Sequence, residues 1–187
     1  MSYNNPRSEK SYNGTLMAKG KLNEDIILAW LREHDRSKEV LDFREFRLAQ
    51  RIDVDFGIET IDGGIVLAEV KSDDYLGKTG NIFLELFRIN HFVKPEHHFY
   101  LGWFYRTPAL KLIVRNPESG LTYIIRFDAL RNCFAHWVEQ SPREITNRLV
   151  AVSTDKQKTT YGIKFPSEKV MEHTTIEYIK PRQSSLL

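Results

Sequence analysis

The strongest constraint in this 187-residue chain is an alternation that runs from Arg51 to Lys71. Ile52, Val54, Phe56 and Ile58 fall on one side of an extended backbone, and Arg51, Asp53, Asp55, Gly57 and Glu59 on the other. Successive side chains of a strand point to opposite faces, so this period of two predicts a half-buried strand over 51–60. Asp62-Gly63-Gly64 is a turn signal, and the apolar run resumes over Ile65–Lys71. Residues 51–71 therefore read as an antiparallel hairpin.

Before the hairpin, Leu22, Ile26, Ile27, Trp30 and Leu31 recur at helical spacing, which predicts an amphipathic helix over 20–33 that carries Glu24. The segment 40–49 fits an edge strand or a loop equally well. After the hairpin, 73–80 reads as a loop and 82–87 as an apolar segment. Strands are expected at 99–105, 110–114 and 121–126, the last two joined by an Asn116-Pro117-Glu118-Ser119-Gly120 turn. Asp128 can cap a helix whose Leu130, Phe134, Trp137 and Val138 share a face, and Ser141-Pro142-Arg143-Glu144 has the form of a capping box. The expectation is an α/β fold: a central mixed sheet flanked by helices, in one domain over residues 15–180, with a polar flexible arm at 1–14 and a tail at 181–187.

Composition narrows the class. Hydrophobic residues make up 41% and charged residues 28%, which suits a globular domain and excludes a disordered or collagenous chain. Lys and Arg number 27 against 25 Asp and Glu, a net charge of +2, so any nucleic-acid role must come from a local patch. The single Cys133 forms no internal disulfide and no multi-cysteine zinc site, and reads as a small buried hydrophobe. No apolar run approaches the length that spans a bilayer, and the first residues lack a secretory pattern, which predicts a soluble cytoplasmic protein without membrane partners.

Chemistry concentrates on the polar face of the hairpin. Asp53 and Asp55 on the first strand confront Glu69 and Lys71 on the second, and the helix offers Glu24 as a third carboxylate. A solvated sheet face often carries such acid–lysine pairs. Here, however, Glu69 and Lys71 sit among Val66, Leu67, Ala68 and Val70, where ionic groups are seldom placed without a use. Clustered carboxylates repel one another and are commonly relieved by a hard divalent cation, Mg²⁺ or Mn²⁺. A cation and a lysine beside a phosphodiester are the parts of a hydrolase.

Glu24 on a first helix, Asp55 on a strand and Glu69-Val70-Lys71 on the next strand resemble the PD-(D/E)xK nuclease superfamily, which includes restriction endonucleases and Holliday junction resolvases. The resemblance covers residues 20–90. Val54 stands where the motif has proline, so Asp53 remains an alternate to Asp55 as the metal-binding aspartate. Thr79-Gly80-Asn81-Ile82-Phe83-Leu84-Glu85, with Gly102-Trp103 downstream, is similar to a T-G-N signature of a phage and bacterial subgroup. The resemblance implies a restriction endonuclease-like core and Mg²⁺- or Mn²⁺-dependent hydrolysis of DNA, in a bacterial cell or phage-infected host. Asp55 and Glu69 would bind metal with Glu24 in support and Glu85 as a further acid, and Lys71 would assist the attacking water. Lys78 and Arg88 are the first candidates for phosphate contacts, followed by Lys94, Lys111 and Arg115. Tyr75 and Tyr105 are candidates for stacking on an unpaired base. RNA is the second candidate substrate, and a homodimer fits cleavage of both strands. The alternative is a catalytically inactive nucleic-acid- or protein-binding module on the same fold.

Overall fold

The computed structural model describes residues 6–33, 37–92, 99–155 and 158–181. Residues 1–5 of the arm, the tail beyond Pro181, Lys94 and the His97-His98 pair lie outside these. In chain order the elements are α1 (Pro6–Glu33), β1 (Ser37–Asp42), α2 (Arg47–Arg51), β2 (Phe56–Thr60), β3 (Ile65–Ser72), β4 (Asn81–Asn90), β5 (Phe99–Leu101), α3 (Trp103–Arg106), β6 (Lys111–Arg115), β7 (Leu121–Arg126), α4 (Phe127–Gln140), α5 (Pro142–Arg148), β8 (Leu149–Asp155), β9 (Lys158–Pro166), a 3-10 helix (Ser167–His173) and β10 (Thr174–Tyr178).

Six strands form a mixed sheet in the order β1-β2-β3-β6-β7-β10, in which β3 and β6 are parallel and all other neighbours antiparallel. With helices packed on it, this is the α/β core expected from the sequence. A second, antiparallel sheet in the order β5-β4-β9-β8 was not foreseen. Alternation along the strands divides the large sheet's two faces. Ala68, Val70 and Ile113 join Ile27, Leu28 and Leu31 of α1 in one buried cluster. Leu112, Val114 and Ile125 turn the other way, into a larger cluster with Trp103, Phe104, α4 and the second sheet.

Several local expectations are corrected. The helix α1 starts at Pro6, so its backbone includes much of the segment that composition reads as an arm. Its buried stripe is Asn23, Ile27, Leu28 and Leu31, whereas Leu22 is exposed. Asn23 takes a core position because the buried Arg115 guanidinium needs acceptors: Arg115 donates to Asn23 Oδ1 at 2.5 Å and to the Ile179 carbonyl at 2.9 Å. Arg115 is therefore a structural residue and not a phosphate contact.

The strand expected over 51–60 begins only at Phe56. Residues 47–51 are helical, Val54 N–H folds back to the Ala49 carbonyl at 3.1 Å, and Asp53 adopts a left-handed backbone with φ of 52°. Aspartate is among the few non-glycine residues that take this conformation readily. The expected strand 99–105 is likewise split, with β5 ending at Leu101 and α3 turning from Gly102. Ser141 makes no side-chain cap; Glu144 instead accepts from Trp137 Nε1 at 3.0 Å. None of the described helices is long and apolar enough to cross a membrane.

Gly102 fixes how closely α3 approaches β4. Its N–H donates to the Leu86 carbonyl at 2.7 Å, and a Cβ there would lie 2.3 Å from the Glu85 carbonyl oxygen. Both chains at that contact are backbone, so neither can yield by changing a rotamer. Gly102→Ala is expected to lower stability by about 1–3 kcal/mol through overpacking, read by urea unfolding.

Candidate active site

The site forms where β2 ends against β3. Phe56 pairs with Ala68, and one residue earlier the Asp55 N–H donates to the Ala68 carbonyl at 3.0 Å. The Asp55 carboxylate then accepts from Val70 N–H at 2.7 Å. Asp55 is thus held at the level of Glu69 by its backbone and its side chain together. Glu69 and Lys71 point away from the α1 cluster, toward α3. The Lys71 ammonium contacts Glu69 Oε1 and stands 5.4 Å from the centroid of the Trp103 ring, a cation–π distance.

Glu69 is only 2% exposed, and its Oε2 is buried without a hydrogen-bond partner among the described residues. Burial pushes its carboxyl up to about 8, with Asp55 adding to the rise and Lys71 opposing it. Burial also raises Asp55, offset by Lys71 and the Val70 N–H. For Lys71, loss of solvent favours the neutral amine, but the adjacent Glu69 and Asp55 outweigh it and hold the ammonium above its ordinary value. These groups titrate as a set, and the proton retained near neutrality is best placed on Glu69, the more deeply buried of the two acids.

Glu24, Asp53 and Glu85 each lie against an arginine. Glu24 projects from α1 with its Oε2 3.6 Å from Arg44, which also pairs with Asp25 and Asp42. Burial and the nearby Asp55 raise Glu24, and Arg44 and Lys71 lower it, so it lies within electrostatic reach of the site. Asp53, expected beside Asp55 on one strand face, is turned aside by its left-handed backbone and gripped by Arg106 through two hydrogen bonds of 2.5 and 2.8 Å. The structure therefore places Asp55, and not Asp53, beside Glu69. Glu85 lies on β4 of the second sheet and pairs with Arg88 at 2.8 Å. Lys78 pairs with Glu118 at 2.9 Å on the surface. Thr79-Gly80-Asn81 opens β4: the Gly80 carbonyl accepts from Ser167 N–H, and Asn81 Oδ1 accepts from Arg148.

Two clefts flank this group. One of about 470 Å³ reaches Lys71 between Tyr75, Phe83 and Trp103, and one of about 520 Å³ reaches Glu24 between Lys21, Arg44 and Gln50. Tyr75 and Tyr105 are both exposed, and Lys111 lies elsewhere, in an apolar groove beside Ile124. Arg44, Arg106 and Trp103 were missed as site residues. Trp103 alone had a signal, the Gly102-Trp103 pair.

Among the described residues, no three His, Cys, Asp or Glu side chains form a group that holds a metal ion by themselves. Mg²⁺ needs less, since it commonly takes one or two carboxylates and keeps its waters. Asp55 with the unpartnered Glu69 Oε2 is a donor set that fits Mg²⁺ or Mn²⁺ and, lacking nitrogen and sulfur, does not fit a structural zinc. Comparison with protein-family models, with curated proteins and with solved structures returned no match to this chain.

The raised Glu69 fixes a pH dependence. Between its ordinary value of 4.5 and about 8 the unfolded chain has released a proton that the folded protein keeps, so stability falls as pH rises through that window. In chelator, wild type is expected to lose up to about 1.4 kcal/mol per pH unit relative to Glu69→Gln, read by urea unfolding between pH 5 and 8.

Proposed function

We propose that this protein is a metal-dependent nuclease of the PD-(D/E)xK type that hydrolyses DNA phosphodiester bonds. One observation carries the reading. Asp55 and Glu69 meet side by side with a single ammonium, Lys71, and Glu69 keeps a buried oxygen without a hydrogen-bond partner among the described residues. No arginine among the described residues makes an ion pair with either of them, whereas Asp53 has Arg106, Glu85 has Arg88, and Glu24 shares Arg44 with Asp25 and Asp42.

Asp55 and Glu69 would hold Mg²⁺ or Mn²⁺, which when bound supplies Lewis acidity to a phosphodiester oxygen. Lys71, steadied by the Trp103 face, is placed to orient an attacking water and to stabilise the charge that develops on the phosphate. The water oxygen forms a bond to phosphorus as one of its protons passes to solvent, the ester bond breaks opposite it, and the departing alkoxide takes a proton back from solvent. Glu24 contributes by electrostatics from α1, restrained by Arg44. The Lys71–Glu69 ion pair itself favours the rival reading, a non-catalytic binding module on this fold.

Cleavage of labelled DNA and RNA panels in Mg²⁺, in Mn²⁺ and in chelator separates the two. Asp55→Asn and Lys71→Ala are each expected to reduce cleavage about 100-fold or more while the proteins stay folded. Mn²⁺ should raise the melting temperature of wild type and leave that of Asp55→Asn/Glu69→Gln unchanged, because a ligand of the native state alone stabilises it. Cleavage at the wild-type rate by Lys71→Ala and Asp55→Asn rejects the nuclease assignment.

A further inference from the structure

We propose that the segment Phe46–Arg51 is a wedge that engages duplex DNA where its strands separate; the proposal rests on the nuclease reading for its place beside the site. The helix α2 buries none of its five residues. Phe46, at the N-cap of α2, and Leu48, within it, are 62% and 72% exposed. Arg47 and Arg51, four residues apart on one helix face, are exposed as well. Neither arginine makes an ion pair among the described residues, and the helix contains no acid.

The patch is held firmly. The Phe46 ring meets Phe43 edge-on at 6.0 Å, and Phe46 N–H donates to the Phe43 carbonyl at 2.9 Å. Phe43 N–H in turn donates to the Asp55 carbonyl at 2.9 Å, and Val54 N–H donates to Ala49 of α2. The exposed apolar pair is therefore tied through backbone hydrogen bonds to the metal-binding aspartate. Gln50 of the same helix lines the cleft that leads to Glu24.

Two exposed apolar side chains interleaved with two cations match a particular surface. Guanidinium groups take phosphates, and apolar wedges enter between base steps and unstack them. A net charge of only +2 leaves nucleic-acid affinity to such a local patch. Unstacking is least costly where strands already part, so the substrate class is a forked or flapped duplex, with the scissile phosphate delivered toward Asp55.

The test uses wild type, Phe46→Ala/Leu48→Ala and Arg47→Ala/Arg51→Ala, with melting temperatures as the folding control. Forked duplex, blunt duplex and single strand are compared by fluorescence anisotropy in EDTA, with 2-aminopurine at the first base pair of the fork. Wild type should prefer the fork and raise the 2-aminopurine signal. Phe46→Ala/Leu48→Ala should lose that rise and bind the fork about tenfold more weakly. Arg47→Ala/Arg51→Ala should flatten the log–log salt dependence of binding by about two. Unchanged fork affinity and 2-aminopurine signal in Phe46→Ala/Leu48→Ala overturn the proposal. So does a wild-type dimer, seen by sedimentation, that this double substitution dissociates. Cleavage in Mg²⁺ is scored separately: cleavage without a wedge signal discards the wedge alone, and a wedge signal without cleavage supports the wedge and discards the nuclease.

Discussion

The constraint on which this structure turns is the enclosure of the Glu69 carboxyl. An ionised carboxylate moved out of water costs several kcal/mol unless a counter-charge and hydrogen bonds replace the lost solvation. Here one oxygen meets Lys71, the other has no hydrogen-bond partner among the described residues, and Asp55 places a second carboxyl beside them. The surroundings limit the damage in two ways. The Val70 N–H stabilises Asp55, and the Trp103 face holds the Lys71 ammonium in place. What distinguishes these two acids from Asp53 and Glu85 is that no arginine among the described residues pairs with them; Glu24 lies between the two cases, sharing Arg44 with Asp25 and Asp42.

The sheet makes this arrangement possible. β3 is central, with β2 antiparallel on one side and β6 parallel on the other. Its alternation sends Ala68 and Val70 into the α1 core and Glu69 and Lys71 toward α3, so one strand anchors two layers while displaying the ionic pair. The crossover from β3 to the parallel β6 contains β4, β5 and α3. That detour brings Trp103 and Arg106 over the acids.

Legibility in the sequence followed the range of the interactions. The alternation of β3 is local, so Glu69 and Lys71 could be placed on one face from their spacing, and the turn at Asp62-Gly63-Gly64 is local as well. Asp53 was misassigned because the apolar spacing of Ile52 and Val54 continues that of Phe56 and Ile58 across a helix end and a left-handed residue. Hydrophobic pattern does not register that change of backbone. The pairing of Asp53 with Arg106 spans 53 positions and leaves no trace in spacing. The second sheet was invisible for the same reason: β9 reads as a mixed run, KTTYGIKFP, and becomes a strand through the partner it finds.

That partner is β4. Asn81 pairs with Pro166 and Asn90 with Lys158, so the ladder joins segments separated by most of a domain's length. Until β9 has been synthesised, β4 has only the three-residue β5 beside it, and Ile82 and Leu84, fully enclosed in the finished molecule, lack part of their cover. Contacts of this range close slowly, because the loop entropy must be overcome before the contacts form. On the ribosome, then, the layer behind the acids consolidates late, and a nascent chain carries Asp55, Glu69 and Lys71 in a half-built frame until β9 emerges.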